Sequence, residues 1–182
     1  ARHGVSRIAT QTIAPGQDSA HAVSAAVIVP ARQTGLRSLA DLRHARLAVV
    51  APQAFGGYQI IWAELKRAGV DPEAGGLTLY PTGYPMTRVI DRLRQGQADA
   101  GVIRGCLLEA LQRAGQVRAD EFRVLSPQQH PGEPCQRSSP IYPGWAFAAA
   151  HHTPPTLSRT VLLALLSLPG KDDVTRWGVP AD

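Results

Sequence analysis

Residues 46–69 read RLAVVAPQAFGGYQIIWAELKRAG, and this stretch decides the fold class. Its opening residues, RLAVVA, form an apolar run that predicts a buried β-strand. Gly56 and Gly57 follow in a turn, and apolar residues then recur at helical spacing until Gly69 ends the helix. The stretch is therefore predicted to be a strand, a glycine-bearing turn and a helix.

The alternation of strand and helix continues to residue 115. A strand at 77–81 precedes a helix over 84–97, and a strand at 98–105 precedes a short helix over 106–116. This order is typical of a parallel sheet that is covered by helices, so we predict an α/β fold. The remaining pattern predicts strands at 22–30, 121–127 and 144–152, a helical turn at 39–43 capped by Ser38, and a last helix over 153–170.

The composition is that of an ordinary globular protein. The 182 residues are 44% hydrophobic and 18% charged, and the formal charge of +5 comes mostly from arginine. The arginines are scattered and are not interleaved with aromatic residues, which argues against a nucleic-acid surface and favours a small anionic ligand. The longest apolar run, VLLALLSL at 161–168, is too short to span a bilayer and predicts at most a core helix.

Neither a metal-binding motif nor a hydrolase signature is present in the sequence. The two cysteines, Cys106 and Cys135, have no C-x-x-C spacing, and the histidines form no metal-ligand pattern. We therefore predict no metal, no cofactor and no catalytic residue. A cysteine hydrolase is the weaker alternative, and it would require His130 or another histidine to meet a thiol in the fold.

Candidate ligand-binding residues follow the predicted strands. In α/β sheets, ligands bind beyond the carboxyl ends of the strands and beside helix N-termini. Backbone N–H groups at glycines can approach an anion there, and a guanidinium can pair with an oxyanion. The residues at these positions are Phe55, Gly56, Gly57, Tyr58, Thr82, Gly83, Tyr84, Arg104 and Cys106.

Several of these positions also have a simpler structural interpretation. Gly56 and Gly57 suit a turn that needs positive φ, and Arg104 suits an ion pair with Glu109. Cys106 is either a reactive thiolate beside an arginine or a small buried side chain. The residues themselves leave these alternatives open.

A second dense segment, GEPCQRSSPIYPGW at 132–145, joins two predicted strands. It places Cys135 beside Arg137, Ser138 and Ser139. An arginine with neighbouring hydroxyls is typical of an anion site, whereas a loop cysteine is also typical of a structural disulfide. The segment is therefore predicted to contribute either to a binding site or to a covalent tether.

Three segments together resemble a known family. Residues 38–72, residues 82–111 and the segment CQRSSPIYPGW at 135–145 are similar to the phosphonate/phosphate-type periplasmic binding proteins. Within that family they look most like the periplasmic sensor domains of tetrathionate-sensor-like histidine kinases. The resemblance covers nearly the whole chain.

The resemblance implies a type II periplasmic-binding-protein-like fold, with two α/β lobes and a ligand cleft. It implies a first-lobe remnant and crossover over 1–35, a second lobe over 36–118, and a return crossing with the C-terminal part of the first lobe over 119–182. Family members begin with a further β-α-β-α portion, so we expect a first lobe that is truncated at its N-terminus. Exposed sheet edges would then favour oligomerisation or strand exchange.

Two departures separate this chain from the transporter-type members of the family. Those members carry S-x-S-G-Y where this chain has Ala54 to Tyr58, and a histidine where it has Pro85. The missing hydroxyls and imidazole count against phosphonate coordination. The resemblance therefore implies a non-enzymatic, periplasmic sensor domain of a two-component histidine kinase that is anchored in the membrane outside this chain. The alternative is a solute-binding protein of a phosphonate/phosphate ABC transporter.

The leading hypothesis is that such a domain binds a small anion, for example a sulfur oxyanion, and signals by cleft closure. Charge would be neutralised by Arg104 and Arg137. Hydrogen bonds would come from the backbone of Gly56, Gly57 and Gly83 and from the hydroxyls of Ser138 and Ser139, while Phe55, Tyr58 and Tyr84 would wall the cleft.

The two cysteines have two expected roles in this hypothesis. Cys106 and Cys135 would form a disulfide across the lobes, as an oxidising periplasm permits. Alternatively, they would act as a redox pair or attack a polythionate S–S bond.

Overall fold

A computed structural model of the protein describes residues 4–12, 22–128, 135–143, 145–168 and 176–178. The chain divides into two compact units, of which one is Ser24–Pro140 and the other combines Ala1–Val23 with Ile141–Asp182. Among the described residues, the larger unit has one sheet and the smaller unit has two.

The larger unit is built on a five-stranded mixed sheet. The strands of the two units, in chain order, are β1 Val5–Thr12, β2 Ala22–Val23, β3 Ala25–Pro30, β4 Arg46–Val49, β5 Thr78–Pro81, β6 Ala100–Arg104, β7 Phe122–Val124, β8 Tyr142–Pro143, β9 Ala146–Ala150 and β10 Arg176–Gly178. The sheet of the larger unit has the order β5-β4-β6-β3-β7. Strands β5, β4 and β6 are parallel, whereas β3 is antiparallel to both β6 and β7.

Helices alternate with the parallel strands, as predicted for residues 46–115. They are α1 Ile60–Arg67, α2 Thr87–Arg94 and α3 Leu107–Arg113, and a π-helical turn, Phe55–Gln59, leads into α1. A 3-10 helix, Leu39–His44, follows Ser38, whose backbone N–H donates to the Asp41 carboxylate at 2.8 Å. The α/β prediction is therefore confirmed.

The core of the larger unit lies on both faces of this sheet. Residues of β3, β4 and β6 are buried almost without interruption, which is expected for strands covered on two sides. The largest fully buried side chains include Ile28, Leu47, Ile61, Leu65, Ile90, Leu93, Ile103 and Leu125. Continuous apolar runs in the sequence therefore became central strands.

The larger unit extends beyond residues 36–118, the span that the sequence analysis assigned to the second lobe. Strand β3, assigned there to a first-lobe remnant, hydrogen-bonds to β6, and β7 pairs with the other edge of β3. The predicted single strand at 22–30 is interrupted at Ser24, so that β2 belongs to one unit and β3 to the other.

Residues 135–139 complete the outer edge of β3. Strand β7 covers only the C-terminal half of that edge, from Ile28 to Pro30. At the other half, the Ser138 N–H donates to the Ala25 carbonyl at 2.8 Å, and the Val27 N–H donates to the Ser138 hydroxyl at 2.9 Å. The Ala25 N–H donates to the Ser139 hydroxyl at 3.0 Å. The segment therefore takes the place of a further strand.

The smaller unit contains a three-stranded sheet of order β10-β1-β9 and the helix α4, Pro155–Ser167. Strand β1 is antiparallel to both of its neighbours, and β2 pairs with β8. Strand β1, in which apolar residues alternate with polar ones only weakly, was not predicted from the sequence, and neither was the three-residue β10.

Helix α4 is not a core helix, contrary to the prediction from its apolar run. None of its side chains is buried, and Leu157, Leu163 and Leu166 are exposed. Pro169 and Gly170, expected to end the helix, lie outside the described residues. The expectation of oligomerisation or strand exchange stays a prediction. In the part of the chain that the structure describes, no helix has the length and apolar character needed to cross a bilayer.

An ion pair joins the amino ends of two parallel strands. The Asp99 carboxylate accepts hydrogen bonds from the Arg46 guanidinium at 2.8 and 3.1 Å and from the Arg46 backbone N–H at 2.8 Å. In return, the Asp99 N–H donates to the Arg46 carbonyl at 2.8 Å. The guanidinium hydrogen bond, followed by the backbone one, holds the pKa of the Asp99 carboxyl below its usual range. In its charged form, the ion pair therefore fixes β4 against β6.

Because of this ion pair, the stability of the fold depends on pH in the acidic range. Because the Asp99 pKa is lowered by folding, its contribution is complete above about pH 5 and is lost as the pH falls below about 4. Asp99→Asn should lower the melting temperature at pH 7 and reduce the loss of stability between about pH 5 and 3. Asp120→Asn, which removes an exposed carboxylate, is the matched control. Circular dichroism melts that show the same acid dependence for Asp99→Asn and the natural chain would contradict this role.

The Ser138 hydroxyl should be a large contributor to stability for its size. It accepts from Val27 and donates to the Leu125 carbonyl at 2.6 Å, and it is fully buried. Ser138→Ala leaves both backbone groups without this partner, so we expect a loss of about 1–3 kcal/mol in the free energy of unfolding. Ser167→Ala, at an exposed helix position, should change it by less than about 0.5 kcal/mol. Urea unfolding of both variants measures the difference, and equal values would refute it.

Candidate functional site

The predicted ligand residues after β4, β5 and β6 lie at one edge of the sheet. In the parallel ladder Val49 is opposite Pro81, and Ala48 is opposite Gly101, so the three carboxyl ends point the same way. The antiparallel strand β3 begins at this edge, where Ala25 is opposite Arg104. We call the loops that follow β4, β5 and β6, with the start of β3, the carboxyl edge.

Arg104 is the cationic group of the carboxyl edge. Its side chain is exposed, and among the described residues its guanidinium makes no hydrogen bond or ion pair. The ion pair with Glu109 that the sequence allowed is not formed. One Glu109 carboxylate oxygen accepts the Gln136 N–H at 2.8 Å instead. The guanidinium is therefore free to meet an anion.

Positive φ does not explain either glycine of the turn after β4, and packing favours glycine at position 57. Neither Gly56 nor Gly57 has a positive φ. A Cβ at Gly57 would lie 3.0 Å from side-chain atoms of Ala54 and Val50. Their N–H groups belong to the first turn of a helix, where backbone donors have no intrahelical acceptor. These donors are therefore suited to an anion.

The loop after β5 provides fewer donors than predicted. The Thr82 N–H donates to the Val49 carbonyl at 2.8 Å, and the Gly83 N–H donates to the Val50 carbonyl at 2.9 Å. The Thr82 hydroxyl lies 3.2 Å from the Val49 carbonyl oxygen. Gly83 therefore does not offer its backbone N–H to a ligand, and its φ of +70° explains the glycine.

The predicted aromatic wall separates into two groups. Phe55 and Tyr84 are exposed, at 45% and 69% respectively. Tyr58 is only 5% exposed and instead lines a pocket with Trp62 and Leu79. Tyr58 therefore offers little exposed surface to a wall shared with the other two rings, and its role in that wall stays a prediction.

Cys106 and Cys135 form a disulfide, and their Cα atoms are 5.0 Å apart. Both residues belong to the larger unit, so the predicted bridge across the lobes is wrong. Cys106 has a left-handed φ of 66°, an uncommon conformation for a residue with a Cβ, and Cys135 is buried. The bridge therefore fastens the start of residues 135–139 to the carboxyl edge.

The predicted hydroxyl donors have structural partners. Ser138 donates to the Leu125 carbonyl, and Ser139 donates to the Pro140 carbonyl at 2.8 Å. Both serines are fully buried, so their hydroxyl protons do not reach a ligand. Arg137 is 3% exposed, and this burial lowers the pKa of its guanidinium. The predicted anion clamp of 137–139 is therefore part of the sheet instead.

Ser24 also lies at the carboxyl edge, a position that was not predicted from the sequence. The Gly105 N–H donates to the Ser24 carbonyl at 2.9 Å, and a Cβ at Gly105 would lie 2.1 Å from the Ser24 hydroxyl oxygen. This hydroxyl makes no hydrogen bond with another described residue. Its signal in the sequence is a single polar residue inside the apolar run AVSAAVIVP.

The cysteine-hydrolase alternative receives no support. His130, the proposed partner of a cysteine, lies outside the described residues, and both thiols are in the disulfide. Within the described ranges, no group of three histidine, cysteine, aspartate or glutamate side chains could hold a metal ion.

The disulfide should contribute strongly to stability. It closes a loop between residues 29 positions apart, which corresponds to about 3–4 kcal/mol in the chain-entropy model. The double variant Cys106→Ala/Cys135→Ala should lose this amount in guanidinium unfolding. A reductant should destabilise the natural chain to a similar extent and leave the double variant unchanged. Equal stability of the oxidised and reduced natural chain would rule out this contribution.

Known proteins are similar to this chain in sequence and in fold. Residues 1–177 match the family described as the periplasmic substrate-binding protein of phosphonate ABC transporters. The chain is 33% identical over 159 residues to the tetrathionate sensor histidine kinase TtrS of Salmonella typhimurium. That match covers 87% of this chain and 26% of the kinase, so the chain spans about a quarter of that relative.

Solved structures agree in fold. XAC2383 from Xanthomonas citri, bound to chloride, superimposes with a TM-score of 0.71 at 16% identity, over 98% of this chain and 65% of that protein. A binding-protein component of a phosphonate transporter from Pseudomonas aeruginosa gives 0.64 at 13% identity, over 98% and 58% respectively. The expected type II periplasmic binding fold and the resemblance to a sensor kinase are thus confirmed. This chain belongs to the family of periplasmic substrate-binding proteins of phosphonate ABC transporters.

Proposed function

We propose that this chain is the periplasmic ligand-binding domain of a membrane-anchored sensor histidine kinase and that it recognises a small anion, of which a sulfur oxyanion is the best candidate. The 33% identity to a tetrathionate sensor kinase over most of the chain supports the sensor role. The kinase activity would belong to the parent protein and not to this domain.

The exposed guanidinium of Arg104 is the observation that carries the proposal. It lies at the carboxyl edge, where ligands of open α/β sheets bind, and no described residue neutralises it. First-turn N–H groups at Gly56 and Gly57 and the hydroxyl of Ser24 add donors at the same edge. A cation with uncharged donors at the same edge of the sheet is complementary to an oxyanion.

Tetrahedral sulfonate groups of a polythionate would suit these donors. A polythionate carries no proton at neutral pH. Its site therefore needs no carboxylate that would accept a hydrogen bond from a protonated ligand oxygen. Signalling would follow if the ligand binds one arrangement of the two units better than another, which is the condition for cleft closure. Small-angle scattering with and without ligand would detect that change in radius of gyration.

A phosphonate or phosphate transport protein is the second candidate. The family match supports it directly. Against it stand Ala54 and Phe55 in the turn after β4 and Pro85 after β5, because none of these side chains can donate to a phosphonate oxygen. Preference between sulfur and phosphorus anions separates the two candidates.

A thermal-shift panel of tetrathionate, thiosulfate, sulfate, phosphate and methylphosphonate tests both. We expect tetrathionate to raise the melting temperature most, and isothermal titration to show binding that Arg104→Gln weakens at least about tenfold, as for loss of a charge-assisted hydrogen bond.

Arg113→Gln is the matched control, since Arg113 is an exposed arginine in the last turn of α3. It should bind like the natural chain. Strongest stabilisation by methylphosphonate would favour the transport protein, and no stabilisation by any anion would reject both candidates.

A further inference from the structure

A pocket of about 640 Å³ lies in the larger unit between α1 and β5, and none of the proposed anion donors lines it. Its walls are mostly apolar and include Pro52, Tyr58, Trp62, Pro72 and Leu79. Pockets of several hundred Å³ with apolar walls and a few polar groups are typical of small-molecule sites. The pocket is therefore large enough for a ligand with an aromatic ring.

The Tyr58 phenol is a buried polar group at the wall of this pocket. The residue is 5% exposed, and its hydroxyl makes no hydrogen bond with a described residue. Burial, together with the charge of Glu73, raises the pKa of the phenol. The hydroxyl is therefore a neutral donor and acceptor that a ligand in the pocket can satisfy.

The charge beside the pocket is negative, in a chain whose net charge is +5. Glu73 lines the pocket, and Asp71 lies near it. One ammonium group, that of Lys66, serves both carboxylates at 3.4 and 3.5 Å, so these three side chains together carry one net negative charge. The pocket therefore favours a cation over an anion.

The Trp62 ring already binds a cation. The Lys66 ammonium lies 4.6 Å from the centroid of the ring. Indole rings attract cations through the negative potential of their faces, and they also stack with other aromatic rings. Trp62 can thus contact both parts of an aromatic ligand that has a positively charged group.

We propose that this pocket is a binding site for a small aromatic amine. The ring packs between Tyr58, Trp62 and Leu79, and the ammonium group meets the Glu73 carboxylate. The site is distinct from the proposed anion donors, because none of Arg104, Ser24, Gly56 and Gly57 lines the pocket. It therefore does not depend on the proposed anion function.

The test is an NMR titration of the 15N-labelled chain with three probes of similar shape. These are phenethylammonium, benzyl alcohol and phenylacetate. We expect phenethylammonium to bind with a dissociation constant on the order of 1 mM and to shift the amide signals around Trp62 and Glu73. Benzyl alcohol should bind more weakly, and phenylacetate most weakly.

Three variants locate the binding. Glu73→Gln should weaken phenethylammonium about fivefold and leave benzyl alcohol unchanged. Asp120→Asn makes the same charge change away from the pocket and should alter neither. Ala63→Leu fills the pocket and should abolish both, with a thermal melt to check its folding.

Several results would overturn the proposal. They are no shifts around the pocket, phenylacetate binding as tightly as phenethylammonium, or an equal effect of Glu73→Gln and Asp120→Asn. Because Glu73 is an exposed residue, its variant is expected to fold even where Ala63→Leu does not.

Discussion

The hydrogen bonds along the outer edge of β3 are the constraint on which the larger unit depends. Strand β3 is central in the sheet, so both of its edges need partners. One edge is covered by β6, while the other is shared between β7 and residues 138–139. Chain segments more than a hundred residues apart are thereby joined in one sheet. Where a regular strand is missing, the serine hydroxyls accept the backbone N–H groups of β3.

The disulfide acts on the same segment from its other end. It attaches Cys135 to Cys106, directly after β6, while the Gln136 N–H donates to Glu109 in α3. A loop that would otherwise be free to move is therefore fixed at the carboxyl edge. Residues 137–139 therefore contribute rigidity, and the anion donors that we propose are Arg104, Ser24 and the turn at Gly56 and Gly57.

Two surfaces of the larger unit thus have opposite chemical character. The carboxyl edge combines an unneutralised guanidinium with backbone donors, whereas the pocket beside α1 combines aromatic walls with excess negative charge. The turn Phe55–Gln59 contributes to both, because Gly56 and Gly57 lie at its start and Tyr58 lines the pocket. One short π-helical turn therefore contains backbone donors of the proposed anion site and the phenol of the proposed amine site.

Sequence by itself determined the fold class, the alternation of β4 to α3 and the edge that holds Arg104. These features follow from local periodicity, and the parallel ladder then places strand ends together. It did not determine where β3 pairs, which hydroxyls are consumed by the backbone, or that the disulfide stays within one unit.

Only the tertiary structure decided those points, because they depend on contacts between residues far apart in the chain. In the segment QRSSP, Ser138 is the kind of residue that donates to a ligand. Its hydroxyl instead accepts the Val27 N–H and donates to the Leu125 carbonyl. Ser24 reads as an interruption of a strand, yet the packing of Gly105 brings it beside Arg104. A polar side chain can satisfy either a ligand or the backbone, and the sequence does not record which of them is nearer.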